Sequence, residues 1–556
     1  MFLQLRSCVR ARAGFGHLLV VVLLSIAPSH AQQSAAAPQA NLDWQPKIHF
    51  YAPPNWINDP NGPVLLNGQY HLFFQSNPFG DQWGHMSWGH AVSPDLIHWK
   101  RLPTAIPEAD GVAIFSGSTV EDRDNTSGLC GADDEKTPGC LIAIYTGASK
   151  DRQTQNIAVS RDEGTTWTKY SGNPVIDIGM KDFRDPKVFW HQPTKSWVMV
   201  VALPDRHQVR IYRSPNLRRW KFASEFGPAG SVGGLWECPD LFELPVYDLQ
   251  GNVDGSRWLL NVNINPGGPA GGNGDQYFVG RFDGKRFIED HPGSGPHWAD
   301  WGKDFYASTS FANTGNGKLD SIWIAWMSNW MYASKLPSLP GRGEMTIARR
   351  LYFRESPAYS ASTPSQEPLR LVQKPVLNLP ADNKPAVKSN ATAVQTVTEV
   401  NEQIVEKKLS GSVYRLRFSL DPGDASEAGV RLRRSANIPN QAASEETIVG
   451  IDRANGRIFI DRSHSGKTGW APEFSERMYA PLKHRKAVGV PMEIVVDHNS
   501  IEVFAEDGEI VLTALAYPTA TSQGLAFYST ALPPGTTPAR VRNLEMIQLD
   551  RPVLKK

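Results

Sequence analysis

Short apolar runs separated by turn residues recur from about residue 41 to residue 353. In the segment 64–74, Asn67-Gly68 divides two runs of strand-forming residues, and this pattern predicts a β-hairpin. Similar patterns predict four further hairpins, at 118–145, 187–201, 241–264 and 306–326. Because hairpins recur so regularly and no helical periodicity accompanies them, the sequence predicts an all-β fold.

A second pattern follows several of these hairpins and indicates how they are arranged. The segment 93–99, Ser-Pro-Asp-Leu-Ile-His-Trp, is echoed by 214–220, Ser-Pro-Asn-Leu-Arg-Arg-Trp, with looser copies at 160–167 and 282–287. A short motif that recurs in this way along the chain is typical of stacked or radial β-units. Five four-stranded units in this length suit a five-bladed β-propeller. A large sandwich or a β-helix is the alternative.

The remainder of the chain predicts a second β domain. Residues 354–393 include a Ser- and Pro-rich stretch, which indicates a linker. Alternating apolar and polar residues resume from 394 to 550, with turns at Asn455-Gly456 and Asp507-Gly508, and suit a β-sandwich.

Residues 1–31 have the features of a secretory signal peptide. Three arginines precede an apolar run at 18–27 that is too short to span a bilayer, and Ser29-His30-Ala31 form a small-x-small cleavage site. The sequence therefore predicts a secreted or periplasmic protein with no membrane attachment after cleavage. Removing the segment takes three of the 57 basic residues and none of the 56 acidic ones, which leaves a net charge of −2. So neutral a balance argues against nucleic acid as a partner.

The cysteines are consistent with that compartment. Cys130 and Cys140 flank a polar loop, and a disulfide between them fits an oxidising environment. Cys238 is then unpaired, and we interpret it as a buried, inert thiol. No Cys/His cluster has the spacing of zinc ligands, so neither a metal nor an organic cofactor is expected.

Three acidic residues occupy similar positions relative to the repeat. Asp59 and Asp185 directly precede a proline, Glu237 lies two residues before one, and each proline opens a predicted hairpin. Acidic residues beside proline are also common in turns, but equivalent positions in successive blades converge on a propeller axis. Cleavage of a glycosidic bond requires two carboxylic side chains: one carboxylate faces the anomeric carbon and one acid protonates the leaving oxygen. Neighbouring like charges would keep one acid protonated, and Arg184 would keep Asp185 ionised.

The sequence around these acids resembles the three signature motifs of glycoside hydrolase family 32, which includes invertases, inulinases and levanases. The motifs are Trp-Ile-Asn-Asp-Pro-Asn-Gly at 56–62, Arg-Asp-Pro at 184–186 and Glu-Cys-Pro at 237–239. Further segments that resemble the family lie at 88–91, 115–118, 304–307 and 326–330, so the likeness covers nearly the whole mature chain.

The resemblance implies a five-bladed propeller followed by a sandwich, in agreement with the repeat pattern. It implies that Asp59 is the nucleophile, Glu237 the acid/base and Asp185 a stabiliser of the transition state. It also implies a fructose pocket whose apolar wall is Trp83 and Phe115, with Trp330 at the rim as a platform for a second sugar. The polar residues implied for this pocket are Asn58, Gln75, Ser116 and Arg184.

We therefore expect a retaining glycoside hydrolase that releases terminal β-D-fructofuranosyl units from levan or inulin by double displacement. The Gly-rich segment 267–272 and the segment 330–332 resemble bacterial exo-levanases and exo-inulinases. One departure from the family is Gly341, where an aromatic residue is expected before Arg342. A sucrose-directed invertase or a fructosyltransferase with the same site is the alternative, because water and sugars compete for one intermediate. A non-catalytic carbohydrate-binding propeller and an arabinan hydrolase are more distant alternatives.

Overall fold

The structure is a computed structural model that describes residues 42–131, 139–314, 319–338, 340–356, 368–379, 384–390, 393–436, 438–439, 441–482 and 489–549. The predicted signal peptide, 1–31, lies outside these residues. The described chain forms a five-bladed β-propeller followed by a β-sandwich, as the sequence predicts. No helix of the described residues is long and apolar enough to cross a membrane.

Each blade is an antiparallel sheet whose strands follow one another in chain order. The first blade contains β1 (Ile57–Leu66), β2 (Gln69–Ser76), β3 (Ser87–Ser93) and β4 (Lys100–Ile106). The second contains β5 (Ala113–Asp122), β6 (Cys140–Ala148), β7 (Gln153–Ser160) and β8 (Thr168–Lys169). The third contains β9 (Arg184–His191), β10 (Ser196–Leu203), β11 (Gln208–Ser214) and β12 (Lys221–Phe226).

The fourth and fifth blades are joined into one sheet by two parallel rungs, Val246–Phe353 and Tyr247–Arg354. The fourth contains β13 (Leu235–Tyr247), β14 (Val253–Asn265), β15 (Gly274–Phe282), β16 (Phe287–Glu289) and the short β17 (His297–Trp298). The fifth contains β18 (Tyr306–Ser310), β19 (Ser321–Trp326), β20 (Arg349–Glu355) and β21 (Leu369–Pro375).

The first strands of neighbouring blades contact one another in a closed ring, β1 to β5, β9, β13, β18 and back to β1. Backbone hydrogen bonds close the ring between the fifth blade and the first. The N–H of Leu65 donates to the carbonyl of Ala312, and the N–H of Ala312 donates to that of Pro63, both at 2.9 Å. The first strand of every blade therefore lines the central axis.

The repeated pattern, Ser-Pro-Asp-Leu-Ile-His-Trp at 93–99 in the first blade, forms the turn between the third and fourth strands of a blade. In the first blade, Ser93 Oγ accepts the N–H groups of Asp95 and Leu96. Leu96 has a φ of 69°, and its carbonyl accepts the indole N–H of Trp99 at 3.1 Å. The corresponding indoles in the next two blades donate in the same way to Gly164 and Leu217. The sequence repeat is thus a repeat of one hydrogen-bonded turn.

The segment 354–393 is not simply a linker, which corrects the sequence prediction. Strand β21 pairs with β20 along its whole length and completes the fifth blade. Further on, β22 (Val387–Lys388) already belongs to the sandwich. The Ser- and Pro-rich residues indicate a linker, but short strands, β21 and β22, lie in the remainder of the segment.

The sandwich consists of a seven-stranded and a five-stranded sheet. Apolar residues of both sheets, such as Leu416, Ile494, Val430 and Phe527, form one core between them. The larger sheet contains β22, β23 (Val394–Thr396), β24 (Tyr414–Asp421), β29 (Val490–Val496), β30 (Ser500–Ala505), β31 (Ile510–Leu515) and β33 (Arg540–Gln548). The smaller contains β25 (Glu427–Arg434), β26 (Glu446–Asp452), β27 (Arg457–His464), β28 (Arg477–Pro481) and β32 (Gly524–Ser529).

One α-helix, α1 (Val397–Glu406), occurs among the described residues and contradicts the expectation of no helix. A capping box begins it, because the Thr396 side chain accepts the N–H of Glu399 while the Glu399 carboxylate accepts the N–H of Thr396. The helix buries Val400 and Ile404. Thr-x-x-Glu at 396–399 is the signal that sequence reasoning missed.

The propeller and the sandwich meet through buried apolar residues and buried ion pairs. Ile48 and Ile347 of the propeller pack with Phe504 and Val511 of the sandwich. The guanidinium of Arg349 contacts Asp300 within the propeller and the carboxylate of Glu502 in the sandwich. Apolar packing and buried charge pairs thus join the two domains.

The predicted disulfide between Cys130 and Cys140 is confirmed. It joins residues whose Cα atoms lie 5.1 Å apart, and Cys140 is the first residue of β6.

Candidate active site

A β-bulge interrupts the first strand of each blade near its start. Bulges follow Ile57 in β1, Ile114 in β5, Glu237 in β13 and Tyr306 in β18, and one in β9 follows Arg184. A bulge breaks the alternation of the strand and re-aims the side chains next to it. It also accommodates proline, which cannot donate to the sheet ladder. The acid and proline motifs of the sequence therefore mark the bulges that turn acidic side chains toward the axis.

Three residues at these bulges have left-handed backbones although none is glycine. Asp185 has a φ of 66°, Cys238 of 45° and Ala307 of 55°. Such a conformation costs about 1–2 kcal/mol per residue. Local strain of this kind is concentrated at functional sites, where the surrounding fold maintains it.

Asp59 is held by hydrogen bonds to both of its oxygens. Ser116 Oγ donates to Oδ2 at 2.6 Å and Asn58 Nδ2 donates to Oδ1 at 3.0 Å. Asn58 is oriented in turn by the indole N–H of Trp56, which donates to its Oδ1 at 2.8 Å. The carboxylate is thus fixed in direction by neighbours from the first two blades.

Asp185 lies beside Asp59, with Cys238 between them. The N–H of Cys238 donates to Asp185 Oδ2 at 2.9 Å. The Sγ atom of Cys238 lies 3.6 Å from that oxygen and 3.7 Å from Asp59 Oδ2. The Asp185 N–H donates to Thr146 Oγ1 at 3.0 Å, which anchors the strained backbone.

Glu237 lies between a guanidinium and a phenol. Arg184 Nε donates to its Oε1 at 3.0 Å, and the hydroxyl of Tyr306 donates to its Oε2 at 2.5 Å. Arg184 is itself held by Asp182, whose Oδ1 accepts from Nη1 at 2.7 Å, and by Gln153. Two donors therefore fix the carboxylate plane of Glu237.

The electrostatics of the cluster are dominated by burial. Burial raises the pKa of Asp59, and the charge of Glu237 adds to this, while hydrogen bonds from Ser116 and Asn58 oppose it. Burial raises the pKa of Asp185 to about 7, although the guanidinium of Arg184 opposes the rise. Arg184 thus favours the ionised form of Asp185, as expected, but the loss of solvation outweighs this one neighbouring cation.

Cys238 is free, as predicted, but it is half-buried beside the acids, at the edge of an apolar cluster. Burial raises the pKa of its thiol well above the ordinary value, and the charges of Asp185, Asp59 and Glu237 raise it further. The thiol is therefore protonated and serves the site as a weak donor.

The predicted pocket residues differ in exposure and in the residues that they contact. The exposed ring of Trp83 contacts Phe115 with centroids 6.0 Å apart, next to Ser116. Trp330 is half-buried and stacks on Trp56, with centroids 5.9 Å apart. Gln75 is buried, and its amide donates to Asn61 Oδ1 and the Ile114 carbonyl.

Gly341 has a structural explanation. A Cβ atom at this position would lie 2.8 Å from the Tyr51 hydroxyl and 3.0 Å from the carbonyl of Pro54. The aromatic residue expected here therefore has no room, and the next residue, Arg342, instead pairs with Asp81 at 3.2 Å.

Sequence reasoning assigned no role to several residues of the site. Tyr306 lies in one of the segments that resemble the family, but nothing in that segment indicates a contact with Glu237. Asp182 directly precedes Phe183-Arg184, and it was not distinguished from an ordinary surface acid. The contact between Tyr306 and Glu237 arises only when the fourth and fifth blades meet at the axis, whereas Asp182 contacts Arg184 two residues further along the chain.

A five-bladed propeller with three carboxylates converging at its axis, each held by hydrogen bonds, is the architecture of a propeller glycosidase. The chain belongs to glycosyl hydrolases family 32. The model of that family's N-terminal domain matches residues 49–368, and the model of its C-terminal domain matches residues 383–546.

Curated relatives are similar along most of the chain. A levanase of Bacillus subtilis (strain 168) is 41% identical over 517 residues, which cover 92% of this chain and 72% of the relative. An extracellular exo-inulinase of Aspergillus awamori is 38% identical over 525 residues, with 88% and 92% covered.

Solved structures agree in fold. The crystal structure of the exo-inulinase from Aspergillus awamori superposes with a TM-score of 0.77 at 35% identity and covers 92% of this chain and 98% of that one. A fructofuranosidase from Schwanniomyces occidentalis complexed with fructose has a TM-score of 0.78 at 30% identity, with 93% and 100% covered.

Proposed function

We propose that the protein releases terminal β-D-fructofuranosyl units from fructans, levan or inulin, by hydrolysis with retention of configuration. The observation that carries this proposal is the convergence of Asp59, Asp185 and Glu237, each fixed by a bulge in a different blade. The similarity to a levanase and an exo-inulinase supports the choice of fructans over other glycosides.

In the first step, an oxygen of Asp59 attacks the anomeric carbon of the terminal fructosyl unit, and the bond to the leaving oxygen breaks. Glu237 gives its proton to that oxygen, which leaves as a hydroxyl of the shortened chain. In the second step, Glu237 takes a proton from water, the water oxygen bonds to the anomeric carbon, and Asp59 leaves. Ser116 and Asn58 keep the attacking carboxylate in line through their hydrogen bonds.

Asp185 would bind hydroxyl groups of the fructosyl ring and stabilise the charge that develops on it in the transition state. Its Oδ2 accepts the Cys238 N–H, which holds the carboxylate at the axis. Trp83 and Phe115 would pack against the apolar face of the ring. Arg184 and Gln75 would complete the pocket, and Trp330 would lie at its rim.

We also propose that residues 1–31 are removed during export and that the enzyme acts outside the cytoplasm. The disulfide between Cys130 and Cys140 supports an oxidising compartment. Relatives from Aspergillus are named extracellular.

The test is to incubate the purified enzyme separately with levan, inulin and sucrose and to follow free fructose and oligosaccharides over time. We expect rapid release of fructose from a polymer without intermediate oligomers. The variant D59N should lose at least about 10⁴-fold in kcat, because the nucleophile is removed, and E237Q about 10²–10⁴-fold. Added methanol should yield methyl β-fructofuranoside, since a retaining enzyme transfers the unit with the same configuration.

Activity confined to sucrose would assign the protein to the invertases, and growth of longer oligomers would assign it to the transferases. No reaction with any of the three substrates, from folded protein, would refute the proposal. Thermal melting of D59N and E237Q beside the wild type separates loss of chemistry from loss of fold.

A further inference from the structure

An exposed aromatic side chain lies on the loop between β2 and β3, outside the pocket. The ring of Phe79 is 78% exposed, the highest exposure among the large apolar side chains that the structure describes. Its ring contacts the ring of His85; the two rings are perpendicular, at 88°, and their centroids lie 5.4 Å apart. The ring therefore contributes little to any core, and burying it against a partner would be favourable.

The loop that carries Phe79 is firmly held. Asn77 Oδ1 accepts the N–H of Phe79 at 2.9 Å, and its Nδ2 donates to the carbonyl of Gln82 at 2.8 Å. Asn55 Nδ2 donates to the carbonyl of Pro78 at 2.7 Å, and the N–H of Trp56 donates to that of Gly80 at 3.0 Å. The backbone on both sides of Phe79 is thus tied to the residues just before Asn58 and Asp59.

The same loop carries the apolar wall proposed for the pocket. Trp83 is 51% exposed and contacts Phe115 beside Ser116, which bonds to Asp59. Trp83 lies four positions after Phe79, so their Cα atoms lie at most about 14 Å apart. One short loop therefore presents two exposed rings at the active-site end of the propeller, one at the pocket and one further out.

We propose that Phe79 is a platform on which a fructan chain stacks outside the pocket, and that it selects polymeric substrates over sucrose. Sugar rings pack the apolar face of C–H groups on aromatic side chains, and a rigid loop reduces the entropy that binding costs. A chain of several sugar rings leaving the pocket reaches Phe79, whereas the second ring of sucrose remains near Trp83. This inference rests on the proposed function, because it specifies how the polymer is held.

The test compares F79A with F79W and with F222A, each assayed on levan, inulin and sucrose. Phe222 is a matched control, because it is 55% exposed and lies on the last strand of the third blade. Loss of one stacking contact should raise KM for the polymer about 3- to 10-fold in F79A, with kcat nearly unchanged. The kcat/KM for sucrose should stay within about twofold of the wild type. F79W should restore the KM for the polymer, and F222A should behave as the wild type.

Binding is measured in parallel by affinity electrophoresis of D59N and D59N/F79A through gels that contain levan or inulin. The second variant should be retarded less. An unchanged KM for the polymer in F79A, or an equal change for sucrose, would overturn the inference while leaving the proposed function intact. If the wild type neither cleaves nor binds a polymer, the proposed function fails first. A change of molar mass on substitution of Phe79 would assign the ring to a contact between copies of the chain, and would also overturn the inference.

Discussion

Two clusters of buried acids lie in this molecule, one at the propeller axis and one between the propeller and the sandwich. At the axis, Asp59, Asp185 and Glu237 share one neighbouring cation, Arg184, which bonds to Glu237. Burial raises the pKa of both aspartates in this cluster. The axis therefore holds carboxylates whose charges are compensated only in part.

At the domain interface, cations lie between the acids. His49 bonds to Asp497 at 2.8 Å and to Glu502 at 2.9 Å, and Arg349 bonds to Glu502 at 2.6 Å. Although burial alone would lower it, these acids raise the pKa of His49 to about 10. Burial tends to raise the pKa of Asp497, but His49 and backbone N–H groups lower it to about 2. Arg462 neutralises Asp304 in the same region, at 2.6 Å.

The difference teaches that residue type does not decide whether a buried acid stabilises the fold or serves chemistry. Desolvation acts on both clusters, and the placement of cations decides the outcome. At the interface, the neighbouring cations lower the pKa of Asp497 and Glu502, so these two carboxylates stay ionised and paired. At the axis, burial raises the pKa of Asp59 and Asp185, which costs stability but lets these carboxyl groups take up a proton more readily.

The first prediction breaks the compensated cluster and has the largest expected effect. R349M leaves the buried carboxylate of Asp300 without its cation and Glu502 with His49 alone, and it should cost about 3–5 kcal/mol of unfolding free energy. R350M is the matched control, because Arg350 is the next residue and its pair with Asp320 is exposed; it should cost less than about 1 kcal/mol. Scanning calorimetry of both variants measures the difference. Equal melting temperatures would contradict the role of Arg349.

The second prediction concerns the pH dependence of the uncompensated cluster. The pKa of Asp185 is raised in the folded state, so its contribution to stability is full below pH about 4 and is lost as pH rises through about 7. D185N removes this loss and should be about 1–3 kcal/mol more stable than the wild type at pH 8, while losing activity. The gap should narrow toward pH 4. Urea unfolding at several pH values measures it, with D254N as an exposed control. A gap that does not vary with pH would disprove the assignment.

The interface has the opposite dependence on the acid side. The pKa of Asp497 is lowered, so the stability it contributes is present above pH about 4 and is lost as pH falls through about 2. The pKa of His49 is raised, so its contribution is present below pH about 6.5 and is lost as pH rises through about 10. The two clusters thus restrict the pH range of the fold for different reasons.

The third prediction sharpens the comparison within the site. Y306F removes the hydroxyl that donates to Glu237 and should lower kcat about 10-fold, because the carboxyl group loses one of its two orienting donors. The measurement is kcat on a fructan, with thermal melting to show that the variant folds. Y528F is the matched control, because Tyr528 donates to Glu427 at 2.7 Å within the sandwich. A kcat equal to that of the wild type would show that Tyr306 only fills space.

The sequence by itself determined the class of fold and the reactive groups. Period-two alternation and Asn-Gly turns require strands and hairpins, and the repeated turn that ends in an indole divides them into blades. Acids beside prolines could be recognised because proline cannot sit in an unbroken inner strand, so each motif marks a bulge. These signals are local, and a single sequence contains them in full.

Only the tertiary structure decided which groups touch, because contacts at the axis join residues from different blades. Tyr306 reaches Glu237 across 69 positions of the chain, and Cys238 lies between two acids that are distant in sequence. The tertiary structure also decides that β21 is a strand, because it pairs with the free edge of β20. The pKa of Asp185 is likewise a property of the packed site, since desolvation depends on everything that surrounds a carboxylate and on nothing that its neighbours in sequence reveal.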